Sequence, residues 1–400
     1  MIASRRHDEH LVTRVAGLFR GGVRELSVAT ERRIPFLDAL RSVAVLLVIN
    51  AHGAGEFAGR FGPNRYTASP LTANGWVGVD LFFVLSGYFI GTQLWRELAE
   101  SGTISVGWFM VRRGLRIWPL YFFFFAAVTV AAPAWMADKQ HGWSDLVFLT
   151  NYLNLGIVQG SWSLCTEEQF YLLAPVMLWM IGPRSMRGYR WGLAALLGVV
   201  CVVRGVIYYR LTGGLLGKHP LAFKALYYPF HTHCDGLITG MIVANLALSF
   251  APGKERVKGL LARPAMLVGL TAVLLSLLVA VHGESEEFAG LGIFFAAVVW
   301  WGVKTETRLF GQHLFYLLSR LSFGMYLNHE YMEGWVVGRV LPWLGILRIG
   351  PVVASVLGSV LLVVCSVAVS AATFCLVEHP FLVLRAALLK RRVVAPLVAH

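Results

Sequence analysis

Charge is what this 400-residue chain has least of: Asp, Glu, Lys and Arg together make up 14% of it, against roughly 25% in soluble domains. With 57% of its residues apolar before Gly is counted, it cannot clothe a globular surface in polar groups. That excludes an ordinary water-soluble domain and points to an all-α, polytopic helical membrane bundle. Cysteine is also sparse. Cys165, Cys201, Cys234, Cys365 and Cys375 are scattered through or beside apolar stretches without metal-type spacing, so they imply neither a disulfide framework nor a zinc cluster. The patterns GxSxG, GxxxxGK[ST] and HExxH are missing. The grounds for a hydrolase nucleophile elbow, a phosphate-cradling P-loop and a zincin helix go with them. No hydrophilic stretch offers a second domain, and no internal repeat of the transporter kind is visible.

What the chain has in abundance is apolar runs. Stretches of spanning length recur at about 36–55, 75–95, 117–137, 162–181, 191–210, 226–250, 265–282, 287–303, 314–338 and 350–377, which predicts ten transmembrane helices. The eighth is short, and the ninth is interrupted by Arg320, His329, Glu330 and Glu333. The net charge of +13 does not call for nucleic acid, because the basic residues follow the positive-inside rule. With the N-terminus in the cytoplasm, 24 of the 35 Lys and Arg residues fall on inner segments and 8 on outer ones; Arg41, Arg204 and Arg320 lie within spans. Both termini are therefore expected on the cytoplasmic side of a bacterial inner membrane. Residues 1–34 hold no apolar core for a signal peptide. They read as a basic cytoplasmic segment in which LVTRVAGLFRGGVREL lies along anionic lipid as an amphipathic helix, or else is disordered. Residues 35–385 form the membrane domain and residues 386–400 a basic tail.

Ionisable groups inside a membrane are functional candidates by default. Arg41 and His52 share the first apolar run, FLDALRSVAVLLVINAH. Eleven helical residues turn through three turns plus roughly 20°, which sets both side chains on one face, ~16 Å apart along the axis. One cavity using both is the sharper reading; an Asp38–Arg41 pair and a histidine capped by a loop carbonyl are the plain ones. In MVRRGLRIWPLY, Arg113 and Arg116 share a helical face suited to gripping a phosphate, beside the plain reading of topogenic charge. SWSLCTEEQFYLLAP carries Glu167 and Glu168, of which one is expected to face inward at a depth comparable with His52, where a carboxylate would fix an imidazole tautomer. HTHCDGLITG superficially offers metal ligands, but residues two apart on a helix point away from each other, so a polar patch lining a cavity is the better reading. Asp80 and Ser86 in GVDLFFVLSGYFIG, Tyr171, Asp235, and His329 in SFGMYLNHE complete the candidate cavity or substrate residues.

Taken in order, LDALRSVAVLLVINAH, GWVGVDLFFVLSGYFI, RRGLRIWPLY, SWSLCTEEQFYLLAP, CDGLITG, LSFGMYLNH and VEHPFL resemble the acyltransferase-3 family of integral membrane acyltransferases over about residues 33–385. The resemblance implies transfer of acetyl or other short acyl groups to glycans, sugars or antibiotics. It implies that Arg41 and His52 are the family's essential pair, that Arg113 and Arg116 contact an acyl-CoA donor, and that Glu167 is its glutamate in the WSL segment. Cys165 and Thr166, Asn328 and His233 depart from the family's usual residues, which bears on the acceptor rather than the fold. No hydrolase-like soluble domain of the kind some members carry is visible, so acyl handover is expected within the membrane domain. The resulting expectation has acetyl-CoA, or another short acyl-CoA, docking its phosphates at Arg113, Arg116 and Arg41. His52 then acts as general base on a hydroxyl of a polysaccharide, lipopolysaccharide or other glycan, with Glu167 behind it and no metal. The alternatives are a small-molecule acceptor such as a macrolide or lipid-linked sugar, and, from another class, a transporter or flippase.

Overall fold

The computed structural model describes residues 16–28, 33–131, 142–153, 156–182, 185–213, 221–249, 288–304, 312–343 and 350–394, and every regular element among them is helical. The main helices are α1 (16–27), α2 (Pro35–Phe61), α3 (Val77–Ser101), α4 (Val106–Ala131), α5 (Ser161–Ile181), α6 (Met186–Thr212), α7 (Asp235–Ser249), α8 (Phe288–Lys304), α9 (His313–Trp335), α10 (Pro351–Thr373) and α11 (His379–Val394). Five helical segments are long and apolar enough to cross a membrane: α2, α3, α4, α6, and α10 continued through a π turn to Leu389. α5 and α9 have the length but carry charged residues in mid-helix, and α7 and α8 are shorter apolar helices.

Local chemistry accounts for the boundaries. Pro35 and Pro351 stand in the first turns of α2 and α10, where a missing N–H costs nothing. Ser185 accepts the Gly188 N–H at the start of α6. Gly102 ends α3 in the left-handed conformation, with its N–H on the Leu98 carbonyl.

The predicted span at 226–250 is broken in the structure. A short helix, Ala222–Tyr227, gives way at Pro229 to Phe230–His233, and only Asp235–Ser249 is continuous. Proline withholds a backbone donor there, and the polar run after it is held by side chains from other helices. The ninth run, despite its charges, is one unbroken helix up to Trp335, followed by a π turn at Val336–Val340. The run at 265–282 lies outside the described residues. The helix through residue 385 continues to Val394, so nothing in the backbone marks a boundary at 385.

α3 is the central, mostly buried helix, whereas α6 is peripheral and mostly exposed at the bundle's surface. Glycine permits this centrality. A Cβ on Gly87 would lie 2.0 Å from the Leu237 carbonyl oxygen, and one on Gly240 would lie 2.2 Å from that of Val84, so α3 and α7 touch backbone to backbone. Close small-residue crossings of this kind replace the hydrophobic drive that lipid removes. The pairings also set directions: Ser42 with Phe315 and His52 with His329 make α2 and α9 parallel, while Asn328 with Ser370, and Gly53 with Leu362, set α10 antiparallel to both. α1 rests its Gly22 and Leu26 face on the π turn Phe374–Glu378, and Tyr316 donates to the Glu25 carbonyl.

Gly87→Val is expected to force α3 and α7 apart, at a cost of about 1–3 kcal/mol or more. Thermal unfolding of the detergent-purified protein should show a clearly lower midpoint. Gly205→Ala, at a position with nothing within 4 Å, should leave the midpoint unchanged or raised.

Candidate functional site

α2 carries Arg41 and His52 to opposite ends of the bundle interior, and each joins a different cluster. Arg41 lines a cavity of about 470 Å³ whose wall includes Arg33, Arg41, Arg96, Arg113, Arg116 and Arg320. The carboxylates of Glu25, Asp38, Glu167 and Glu378 face the same space. Six guanidiniums against four carboxylates leave a formal positive surplus in a site partly screened from water, which suits a polyanion such as a phosphate or pyrophosphate. The plain Asp38–Arg41 pair is not what forms: Asp38 holds Arg33 at 3.3 Å and accepts from Ser319 at 3.0 Å. Arg41 instead lies over the Phe89 ring, 5.5 Å from its centroid, and its buried Nε has no hydrogen-bond partner. The buried Arg113 donates to Gln93 Oε1 at 3.0 Å and faces the Tyr171 ring at 5.4 Å. Arg112, by contrast, pairs with Glu97 at 2.7 Å.

Glu167 belongs to this cavity and not to the histidine. The Tyr171 hydroxyl donates to its Oε2 at 2.7 Å and meets Ser86 Oγ at 2.9 Å, so Glu167, Ser86 and Tyr171 form one hydrogen-bonded row on the cavity wall. The expectation that Glu167 stands behind His52 is corrected by depth: α5 enters the bundle beside α3, and its second turn falls level with Ser86. Only one of the two adjacent glutamates was expected to face inward, yet besides Glu167 on the cavity wall Glu168 is buried and accepts from Trp118 Nε1 at 2.9 Å. A tyrosine O–H and a tryptophan N–H thus supply the partners of the two adjacent glutamates.

His52 meets α9 at the other end. Its Nδ1 lies 2.7 Å from His329 Nε2 and 3.7 Å from Glu330 Oε1, and His329 Nε2 is 3.9 Å from the same carboxylate oxygen. The two imidazole planes are 5° apart with centroids at 4.9 Å. Parallel rings whose nitrogens approach to 2.7 Å cannot be stacked face to face, since the planes would then be closer than van der Waals contact at ~3.5 Å. They lie edge to edge, joined by an in-plane hydrogen bond. The three potential ligand atoms fall within 4.8 Å of one another. A metal ion, however, needs two lone pairs converging on one point, whereas these nitrogens face each other directly. The side chain of His52 is 47% exposed and that of His329 is 1% exposed, so the buried ring backs the accessible one.

The turn before α5 closes over this cluster. Gly160, with φ +68°, lets the chain pass where a Cβ would lie 3.0 Å from Glu330 Oε1. Tyr326 donates to the Gly160 carbonyl at 3.1 Å and also meets Ser163. Asp145, outside the spanning helices, accepts from the Ile157 N–H at 2.6 Å and from Tyr121 at 3.0 Å, which pins the turn. Burial pushes its carboxyl above the ordinary range, and those same hydrogen bonds oppose the shift.

Between the two clusters stand aromatic side chains. Phe82 and Phe323 line the arginine cavity; Phe82 packs against Tyr326, which packs on His329. From Phe323 to His329 is six residues along α9, about 9 Å. His52 is absent from the cavity lining, so Arg41 and His52 do not share one open chamber.

Asp80 and Asp235, expected to line a cavity, are locked elsewhere. Arg204 donates to Asp235 Oδ1 at 2.6 Å and through Nε to the Thr232 carbonyl at 2.7 Å. His233 joins Asp80 Oδ1 at 2.8 Å and the Tyr227 carbonyl at 2.6 Å. All four side chains are nearly inaccessible. Arg204 is the reason: an arginine within a span has to be charge-balanced, and the break before α7 brings Asp235 to it. Glu330, Tyr326 and Arg320 went unrecognised as site residues in the sequence, although the three-to-four-residue spacing of Tyr326, His329, Glu330 and Glu333 was a readable one-face signal.

Fold and site together define a membrane-embedded helical protein with an anion-receptive cavity at one end and an accessible, backed histidine at the other. The chain belongs to the acyltransferase-3 family: the model of that family's acyltransferase domain matches residues 34–373. Among curated relatives, it is 28% identical over 232 residues to a Staphylococcus aureus (strain COL) protein named "Putative O-acetyltransferase", an alignment covering 54% of this chain and 35% of that one. It is 23% identical over 337 residues to the protein named peptidoglycan O-acetyltransferase OatA of Listeria monocytogenes serovar 1/2a, covering 75% of this chain and 49% of the relative. The chain thus spans less than half the length of these relatives. No solved structure matches.

Arg204→Ala is expected to cost about 3–5 kcal/mol, because it strands a buried carboxylate. The double variant Arg204→Ala with Asp235→Ala should recover much of that loss in thermal unfolding. If the double variant is no more stable than the single one, the network is not a charge-balanced pair.

Proposed function

We propose that this protein is a membrane O-acyltransferase that moves an acetyl or other short acyl group from an acyl-CoA to a hydroxyl of a glycan. The observation that carries this reading is the division of the site along α2, with guanidiniums around Arg41 at one end and a solvent-accessible imidazole at the other. Family membership and the names of the relatives support it. In the same reading the chain crosses a bacterial cytoplasmic membrane ten times with both termini inside, which puts the arginine cavity towards the cytoplasm, where acyl-CoA is found, and His52 towards the outside, where glycans are built. Lipid surrounds the bundle, and no nucleic acid is involved.

An acyl-CoA supplies an activated thioester when bound. The fit of this chain to its phosphates rests on six cavity arginines, an Arg41 Nε without a hydrogen-bond partner, and the positive surplus of the wall. Arg113 and Arg116 share the inward face of α4 and would hold the phosphate end, with Arg41 above them. Tyr171, tied to Glu167 and Ser86, keeps the carboxylate from closing onto those guanidiniums. The Phe82 and Tyr326 rings stand between the two ends, and a narrow acyl-bearing arm would have to pass them beside α2 to reach His52.

At the far end His52 accepts the proton of the acceptor hydroxyl as that oxygen bonds to the acyl carbon. The carbon–sulfur bond breaks, and the proton on His52 is available to the departing thiolate. A small-molecule acceptor fits the same chemistry, and acceptor profiling separates the two. A transporter is the reading from another class; consumption of labelled acetyl-CoA by purified protein with an added acceptor decides against it.

His52→Ala is expected to lower acyl transfer by about 10²–10⁴-fold while leaving binding of acyl-CoA intact by calorimetry. Full activity of a correctly inserted His52→Ala protein sinks the general-base assignment. Arg113→Ala should weaken donor binding by about 10- to 100-fold, in keeping with one charged hydrogen bond of roughly 1.5–3 kcal/mol, and leave the acceptor KM unchanged.

A further inference from the structure

The pairing of the two histidines determines which nitrogen of each carries a proton. His329 Nδ1 lies 2.6 Å from the Tyr326 backbone carbonyl. A carbonyl can only accept, so Nδ1 carries the hydrogen. A neutral imidazole holds one proton, which leaves His329 Nε2 with a lone pair. That lone pair faces His52 Nδ1 at 2.7 Å, so His52 Nδ1 is the donor. The basic nitrogen of His52 is therefore Nε2, on the edge of the ring that points away from α9.

We propose that His329 is the positioning residue of this enzyme: through a relay from the Tyr326 carbonyl it holds His52 as the Nδ1–H tautomer with Nε2 turned to the acceptor hydroxyl, and Glu330 balances the charge that His52 gains. This rests on the reading of His52 as general base. It gives His329 the part often played by a carboxylate behind a catalytic histidine, with a neutral ring as the acceptor. When the hydroxyl proton moves to Nε2, His52 becomes an imidazolium, and its bond to His329 becomes charge-assisted and stronger. The carboxylate of Glu330, 3.7 Å from Nδ1, faces the new charge at a distance too long for a direct hydrogen bond. It can stabilise the cation without taking the proton. Burial completes the device: His329 is 1% exposed, so water does not compete for its lone pair, and its ring is packed by Tyr326, which is itself tied to Gly160 and Ser163.

The groups facing the pair come from two directions. α9 presents Tyr326 and Glu330, and the turn before α5 presents the Gly160 carbonyl and Ser163. Neither Lys nor Arg forms an ion pair with Glu330 among the described residues. Its charge is directed to the histidines.

The test uses the full-length protein in detergent or nanodiscs with ¹⁵N-labelled histidine. At neutral pH the ¹⁵N spectrum of the wild type, assigned by the loss of signals in His52→Ala, should show His52 protonated at Nδ1 and bare at Nε2. A resting His52 with its proton on Nε2 overturns the proposal, whatever any variant does. His329→Phe, which removes the acceptor and keeps a planar ring, should lower kcat by about 10²-fold or more with the KM for acetyl-CoA unchanged, and the Nδ1–H preference of His52 should vanish. His329→Gln, whose carbonyl oxygen can again accept from Nδ1, should recover at least tenfold of that loss. Glu330→Gln should lower kcat less than His329→Phe and keep the tautomer. If His52→Ala is inactive while His329→Phe retains wild-type kcat, the relay fails and the general-base reading stands. If His52→Ala is active, the general-base reading fails first.

Discussion

The cost of placing a guanidinium in an apolar bundle governs this structure. A central arginine opposes insertion by roughly 2.5–3.5 kcal/mol, several times what one leucine or valine returns. Each intramembrane arginine is answered in its own way. Arg204 is bonded through Nε and one terminal nitrogen to the Thr232 carbonyl and Asp235, and the result is a closed joint between α6, α7 and α3. Arg320 is joined by Glu25, which brings α1 against the bundle. Arg41 lies over an aromatic face with its Nε unbonded, and the Glu167 and Asp38 carboxylates act on it through space. A guanidinium with an unbonded donor on a cavity wall is chemically suited to an anion.

The backbone of the bundle serves this separation of charge. Because α3 and α7 meet through glycine, α3 sits deep enough to present Ser86 and Phe89 to the cavity and Phe82 to Tyr326. Because α2 and α9 run parallel in contact, each depth on one is matched by the same depth on the other. Ser319 and Arg320 thus fall beside Asp38 and Arg41, and His329 beside His52. The two ends of the site are two levels of one helix pair, about three turns apart.

The turn before α5 ties the histidine level together. Asp145 fixes its backbone, Gly160 lets it approach Glu330, and Tyr326 spans the gap between turn and helix. Tyr326 thereby has two roles: its hydroxyl secures the turn, while its backbone carbonyl receives the His329 proton. Its ring also stands between the arginine-lined cavity and the histidines.

The sequence alone determined the class of fold, the apolar runs, and the fact that Arg41 and His52 share one face of α2 and Arg113 and Arg116 one face of α4, because hydrophobicity and helical periodicity are properties of short stretches. Nearly all the described runs are helices, and Arg41, Arg113, Arg116, Glu167, Ser86 and Tyr171 do line one cavity. Depth and partnership were not legible. Glu167 was expected beside His52, but which turn of α5 stands level with which turn of α2 depends on where the loop at 156–160 places the helix, and no local pattern encodes that. Glu330 was read as an interruption of a span when it is the carboxylate beside His52. Asp80 and Asp235 looked like cavity residues until Arg204 and His233 were seen to consume them. Only the tertiary structure decides such pairings, since an ion pair or a hydrogen bond between distant helices depends on interatomic distances of a few ångströms, and those are set by the packing of the whole bundle.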